Sequence, residues 1–166
     1  MITVSSIRAM NDKQLFLDLV LQNQGIIYKI CKVYRHSHED QEDLFQEIVY
    51  QLWKSFGQFQ GRSKITTWMY RIGVNTAIAD FRKPSIKQTT LEDSIQFEAT
   101  LESDSEKTEE LYKAIRKLNE SDRAVLSAYF EDLSYSEIGQ VLGISENSVG
   151  IRLTRIKKKL KAILNL

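Results

Sequence analysis

The stretch from Ser145 to Lys161 concentrates side chains suited to gripping a polyanion. Between Ile151 and Lys161 there are six Lys/Arg and no acid. At 100° per residue, Val149, Leu153, Ile156, Leu160 and Ile163 fall on one side of a helix, and Asn147, Ile151, Thr154, Arg155 and Lys158 fall on the other. Lys and Arg displace counterions from phosphates, while short polar and apolar groups near a helix start reach base edges in a major groove. Ile151 has little structural reason to sit on the outer face, yet it could pack on a thymine methyl. A plain amphipathic helix with solvated lysines has the same composition, so the segment ahead of it decides the reading. Ser134 and Glu137 make an S-x-x-E capping box, Ile138, Val141 and Leu142 follow, Gly143 stops the helix and Ser145 caps the next. A short capped helix, a tight turn and a longer capped helix form a helix-turn-helix.

Other chemistries find less support. Cys31, His36 and His38 lie close together, but their spacing fits no standard zinc pattern and no second ligand pair occurs. Cys31 is expected in the core and the histidines at a polar helix end, with no metal and no cofactor. There is no Gly-rich phosphate loop and no nucleophile–base constellation, so no enzyme is expected. The single cysteine rules out an intrachain disulfide and fits a reducing cytoplasm. No apolar run approaches the ~18 residues that span a bilayer, and the N-terminal sequence lacks a signal-peptide pattern. A cytoplasmic protein without membrane insertion is expected.

The elements that must hold these residues read as helices throughout. Of 166 residues, 42% are apolar and 27% charged, a globular composition, and Pro84 is the only proline. A first helix is predicted from Lys13 to Tyr34, with a stripe of Phe16, Val20, Asn23, Ile27, Ile30 and Tyr34 and with Asn11 and Gln14 as a capping pair. A second is predicted from Asp40 to Phe56. Its broad apolar face opposes Asp43, Glu47, Tyr50 and Lys54, with Gln46 beside them. Residues 57–64 read as a loop. A third helix, Ile65 to Lys83, is apolar on two sides and therefore belongs in the middle of a bundle; its polar stripe is Arg71, Asn75 and Arg82. Pro84 ends it. A further helix carries Leu111, Ile115 and Leu118, and Ser121 is expected to cap the next, which carries Val125, Leu126, Tyr129 and Phe130.

Charge divides the chain. Residues 1–83 hold 11 Lys/Arg against 8 Asp/Glu, residues 84–110 hold 2 against 8, and residues 111–166 hold 10 against 6, giving +3, −6 and +4. Two basic blocks flank an acidic stretch rich in Ser, Thr, Asp and Glu with no sustained period. The expected architecture is all-α: two small helical domains, 1–84 and 108–166, joined by an acidic flexible linker over 85–107.

Residues 111–164 resemble the C-terminal domain of extracytoplasmic-function (ECF) sigma factors of the sigma-70 family. In that domain L-x-x-x-I-x-x-L precedes a helix-turn-helix of the form LSYxEIAxxLGIS; here the latter is LSYSEIGQVLGIS. EDLFQEIVYQLW is similar to the family's polymerase-binding helix. FQGRSKITTWMYRIGVNTAIADFRK is similar to its promoter-melting loop and helix. The two matches cover about three-fifths of the chain, in the family's order. The resemblance implies that Asp43, Gln46 and Glu47 dock on the clamp helices of the largest polymerase subunit. It implies that Phe59, Arg62, Ser63, Lys64, Arg71 and Asn75 bind the −10 element, where an unstacked base needs an apolar platform and a partner for its edge. It implies that Asn147, Ser148, Ile151, Arg152, Thr154, Arg155 and Lys158 bind the −35 element. The implied partners are core RNA polymerase, including the flap of its second-largest subunit, promoter DNA and an anti-sigma factor. Trp68 reads as core by register, with a wedge into DNA as the other reading. Three positions depart from the family: Gly150 replaces a Lys or Arg, Ala79 an Asp, and Gly139 an Ala. The competing reading is a stand-alone helix-turn-helix regulator with a helical effector domain. Such a protein binds duplex promoter DNA without polymerase.

Overall fold

The structure, a computed structural model, describes residues 4–81 and 105–166, which form seven α-helices and no strand. They are α1 (Val4–Tyr34), α2 (His38–Phe56), α3 (Ile65–Phe81), α4 (Glu106–Arg116), α5 (Glu120–Phe130), α6 (Tyr135–Leu142) and α7 (Glu146–Leu164). The expectations placed on Arg82, Pro84 and linker residues 85–104 lie outside the described residues.

The first three helices make a bundle around a common core. In α1 the predicted stripe is buried at Phe16, Val20, Ile27, Ile30 and Tyr34. Its polar interruption is satisfied locally, because Asn23 Nδ2 donates to Leu19 O at 2.9 Å. The helix begins nine residues before the predicted start, so Asn11 lies inside it and caps nothing. In α2, Ser37 is the cap, its Oγ accepting from Asp40 N at 3.1 Å; Leu44, Phe45, Ile48, Val49 and Leu52 are buried. As the two-sided pattern predicted, α3 is buried on more than one side, against α1 and α2 and against α5 and α6: Met69, Tyr70, Val74 and Ala77 are fully buried. Gly73 makes that position possible, since a Cβ there would stand 2.7 Å from Ile30 Cδ1. Cys31 is enclosed in this core, and burial pushes its thiol pKa up to about 12. His36 and His38 are exposed, so the three side chains do not converge.

The remaining helices form a second unit. The cap of α5 is Asn119, whose Oδ1 accepts from Asp122 N at 2.8 Å; Ser121, the predicted cap, sits in the first turn. Asn119 wins because the helix starts one residue before Ser121. The capping box of α6 forms as read, with Ser134 N donating to Glu137 Oε2 at 2.8 Å and Glu137 N to Ser134 Oγ at 3.2 Å. Gly143 ends α6 with φ +69°, a left-handed conformation that favours glycine, and Ser145 caps α7. Val149, Leu153, Ile156 and Leu160 are the buried seam of α7.

The two units pack directly on one another. Tyr70 Oη, on α3, donates to Ala124 O on α5 at 2.6 Å and lies 2.6 Å from Ser127 Oγ. Arg116 Nη1 donates to Lys32 O at 2.9 Å, and Lys29 pairs with Glu131 at 3.0 Å. The Arg123 guanidinium lies over the Tyr34 ring at 5.3 Å.

Candidate nucleic-acid interface

The outer face of α7 carries the side chains expected to meet DNA. Asn147, Ile151, Thr154, Arg155 and Lys158 are exposed, while Arg152 and Ser148 are half-buried. Ile151 is 47% exposed, which confirms an isoleucine with no core to join. Two of the polar groups are already engaged. Ser148 Oγ lies 2.7 Å from Ser145 Oγ within the helix cap, and Thr154 Oγ1 donates to Gly150 O at 3.0 Å.

The three successive lysines of α7 do not share one role. Lys159 Nζ pairs with Asp122 Oδ2 at 2.6 Å, an anchor between α7 and α5. Lys157 Nζ stands 5.2 Å from the centre of the Tyr129 ring. All three are exposed, but Lys157 and Lys159 lean toward α5. Three consecutive helical residues point 100° apart, and two of these point back at α5.

In the loop between α2 and α3, Phe59 is half-buried with its ring 5.0 Å from that of Trp68. Trp68 is neither fully core nor free: it is half-buried and backs Phe59 at the mouth of the loop. Arg62, Ser63 and Lys64 are exposed in this loop, which turns at Gly61 with φ +67°. Arg71 and Asn75 follow on the exposed side of α3, one turn apart. An aromatic platform, a basic loop and an amide in line suit a single strand with one base turned out. Lys64 also reaches across to Glu137 at 3.7 Å, so the loop touches the start of the helix-turn-helix. No sequence pattern announced that contact.

On α2, Asp43 is exposed, and Gln46 and Glu47 are half-buried. Glu47 Oε1 accepts from Gln51 Nε2 at 2.8 Å, which fixes its direction along the helix. Lys54 Nζ stands 5.4 Å over the Tyr50 ring on the same face. Tyr135 was missed by sequence reasoning. It opens α6, is 39% exposed and lies against α7 where Gly150 carries no side chain. The departure at Gly150 was the available signal.

A helical protein whose capped helix-turn-helix stands beside an aromatic, basic loop carries two surfaces with the chemistry to meet DNA. Two family models match: Sigma-70 region 2 over residues 19–85 and Sigma-70 region 4 over residues 108–160. The chain is 31% identical over 165 residues to the RNA polymerase sigma-H factor of Pseudomonas aeruginosa, covering 89% of this chain and 84% of the relative. It is 27% identical over 166 residues to the ECF RNA polymerase sigma factor SigW of Bacillus subtilis, covering 90% and 89%. A similar fold, at TM-score 0.69 and 17% identity, is that of the sigma factor RpoE in complex with the anti-sigma factor NepR from Bartonella quintana, covering 91% of this chain and 97% of that one. The chain belongs to the sigma-70 family of RNA polymerase sigma factors, in its ECF class. It is an alternative sigma factor: a promoter-recognition subunit that binds core RNA polymerase, recognises −35 and −10 elements and promotes initiation. No helix among the described residues is long and apolar enough to cross a membrane.

Proposed function

We propose that the work of this sigma factor divides between residues 1–84, which bind core polymerase and the −10 element, and residues 108–166, which bind the −35 element, with 85–107 joining them. Asp43, Gln46 and Glu47 dock on the clamp helices of the largest subunit. A carboxylate-bearing helix face suits a basic partner surface. Phe59, backed by Trp68, stacks the turned-out −10 base, and Asn75 holds its edge; Arg62, Ser63, Lys64 and Arg71 follow the strand. Asn147, Ile151, Thr154 and Arg155 face base edges at −35. Arg152 and Lys158 take phosphates, and Ser148 positions the helix start. The exposed aromatic pair Tyr129 and Phe130, 36% and 41% exposed, receives the flap of the second-largest subunit. The chain acts in the cytoplasm, performs no catalysis of its own and is held by an anti-sigma factor when idle.

The observation that carries this reading is the separation of faces. The outer surface of α7 is basic around an exposed isoleucine, while its opposite surface is sealed into the core. Run-off transcription with purified chain and bacterial core polymerase tests it. Promoter-specific transcripts are expected only when both are present. Specific duplex binding that is as tight without polymerase as with it supports a stand-alone regulator instead.

A further inference from the structure

Gly150 carries no side chain on the flank of α7, and the ring of Tyr135 lies beside it. A Cβ at position 150 would lie 3.5 Å from Tyr135 Cε2 and 3.8 Å from Tyr135 Cδ2, so the aromatic ring rests on the helix where a side chain would otherwise project. Ile151 is the next residue, and Thr154 lies one turn on from both. Thr154 gives its hydroxyl proton to Gly150 O, which leaves it a methyl and at most an acceptor to offer. The outer face of α7 therefore carries an apolar patch of a ring, a branched aliphatic chain and a methyl, bordered by exposed Asn147, Arg155 and Lys158.

We propose that Tyr135, Ile151 and the methyl of Thr154 form one apolar reading surface for thymine C5-methyl groups in the −35 major groove, with the Tyr135 ring lying beside Gly150. This rests on α7 being the −35 reader. In the major groove only A·T and T·A pairs present a methyl, and apolar side chains are its natural partners. The basic residues around the patch supply sequence-independent attraction, so the patch decides which duplex is held. Arg155 is left as the residue of this face suited to a guanine edge.

The test uses holoenzyme reconstituted from the full chain and bacterial core polymerase. Promoters are selected from a library randomised at −35, and the winner is resynthesised with deoxyuridine for single thymines, which removes only the methyl. Thymines are expected at two −35 positions, and each deoxyuridine is expected to lower open-complex formation about fourfold, the equivalent of ~0.8 kcal/mol for one methyl-sized group. Tyr135→Ala should abolish the deoxyuridine effect at one position and Ile151→Ala at the other. Tyr135→Phe should preserve it, because the ring makes the contact. Gly150→Arg should add a guanidinium beside the ring and shift selection toward guanine. Deoxyuridine without effect, or an effect untouched by Tyr135→Ala, overturns the apolar surface while leaving α7 as the reader if Arg155→Ala still alters the selected sequence. Unaltered selection with Arg155→Ala and Ile151→Ala removes α7 as the reader, and the inference falls with it. Tyr135 is exposed, and melting curves of each variant show that the fold survives.

Discussion

Gly139 sits where the helix-turn-helix is tightest. A Cβ there would stand 2.6 Å from Ile144 O, and Ile144 N donates to Gly139 O at 3.0 Å. The opposing atom is backbone and cannot rotate away. Gly139→Ala should cost about 1–3 kcal/mol in overpacking, of which better helix propensity returns about 1. A lower melting temperature is the expected result, and an unchanged or raised one means that the turn yields. Gly150 is the opposite case: a Cβ would make ordinary contact with Tyr135, so a side chain there is sterically permitted. The two glycines look alike in the sequence, and only the distances around them tell one from the other.

At the scale of elements, the face of α2 proposed to dock on polymerase is separate from the face that holds the core. Gln46 and Glu47 lie on the polar side, where substitutions usually change stability by about 0.5 kcal/mol or less. The double change Gln46→Ala, Glu47→Ala should weaken binding to core polymerase while the melting curve stays nearly fixed. Leu52 is fully buried, and Leu52→Ala should cost roughly 2–5 kcal/mol. Unchanged core affinity in the double variant moves the docking surface elsewhere. The start of α6 offers a pH test. The hydrogen bond from the Ser134 backbone N–H, with the Ser134 hydroxyl next, holds Glu137 below the usual carboxylate range. A depressed pKa gives stability that is present above the unfolded value of 4.5 and lost as pH falls through the folded one. Ser134→Ala should cost about 1 kcal/mol at neutral pH. The gap between variant and parent should narrow below the carboxylate range; a gap independent of pH would mean that the box contributes nothing through Glu137.

At the scale of the whole molecule, the packed arrangement conflicts with the promoter. The −35 and −10 elements lie about 25 base pairs apart, which is about 85 Å at roughly 34 Å per turn. Yet Lys64, in the loop proposed to bind −10, stands 3.7 Å from Glu137, beside the helix proposed to read −35. The units must separate when both elements are engaged, and the 23 residues from 82 to 104 can reach at most about 80 Å. Where α1 meets α5, Tyr34 Oη and Arg123 Nε are buried without a hydrogen-bond partner, a cost that opening would relieve. Zero-length carbodiimide coupling should join Lys29 to Glu131 in the free protein and fail in the promoter complex. Tyr70→Phe deletes the hydroxyl that bonds Ala124 O and meets Ser127, a loss of about 1 kcal/mol, and should enlarge the free protein in solution scattering. Coupling that persists in an initiating complex rejects this opening.

The sequence by itself determined the helices, their buried stripes, the capping box at Ser134 and the basic outer face of α7. Each of these is a local matter, a period of 3.6 residues or a hydrogen bond spanning three. It misplaced the start of α1 and the cap of α5, because several Ser and Asn residues near a boundary can serve and the packing of the helix chooses among them. Only the tertiary structure decided that Lys157 and Lys159 lean on α5, since Tyr129 and Asp122 belong to another helix. Only it brought Tyr135 over Gly150 and Tyr70 against Ser127. Those pairs are 15 and 57 residues apart in the chain, and no periodicity reaches across a turn or a linker to record them.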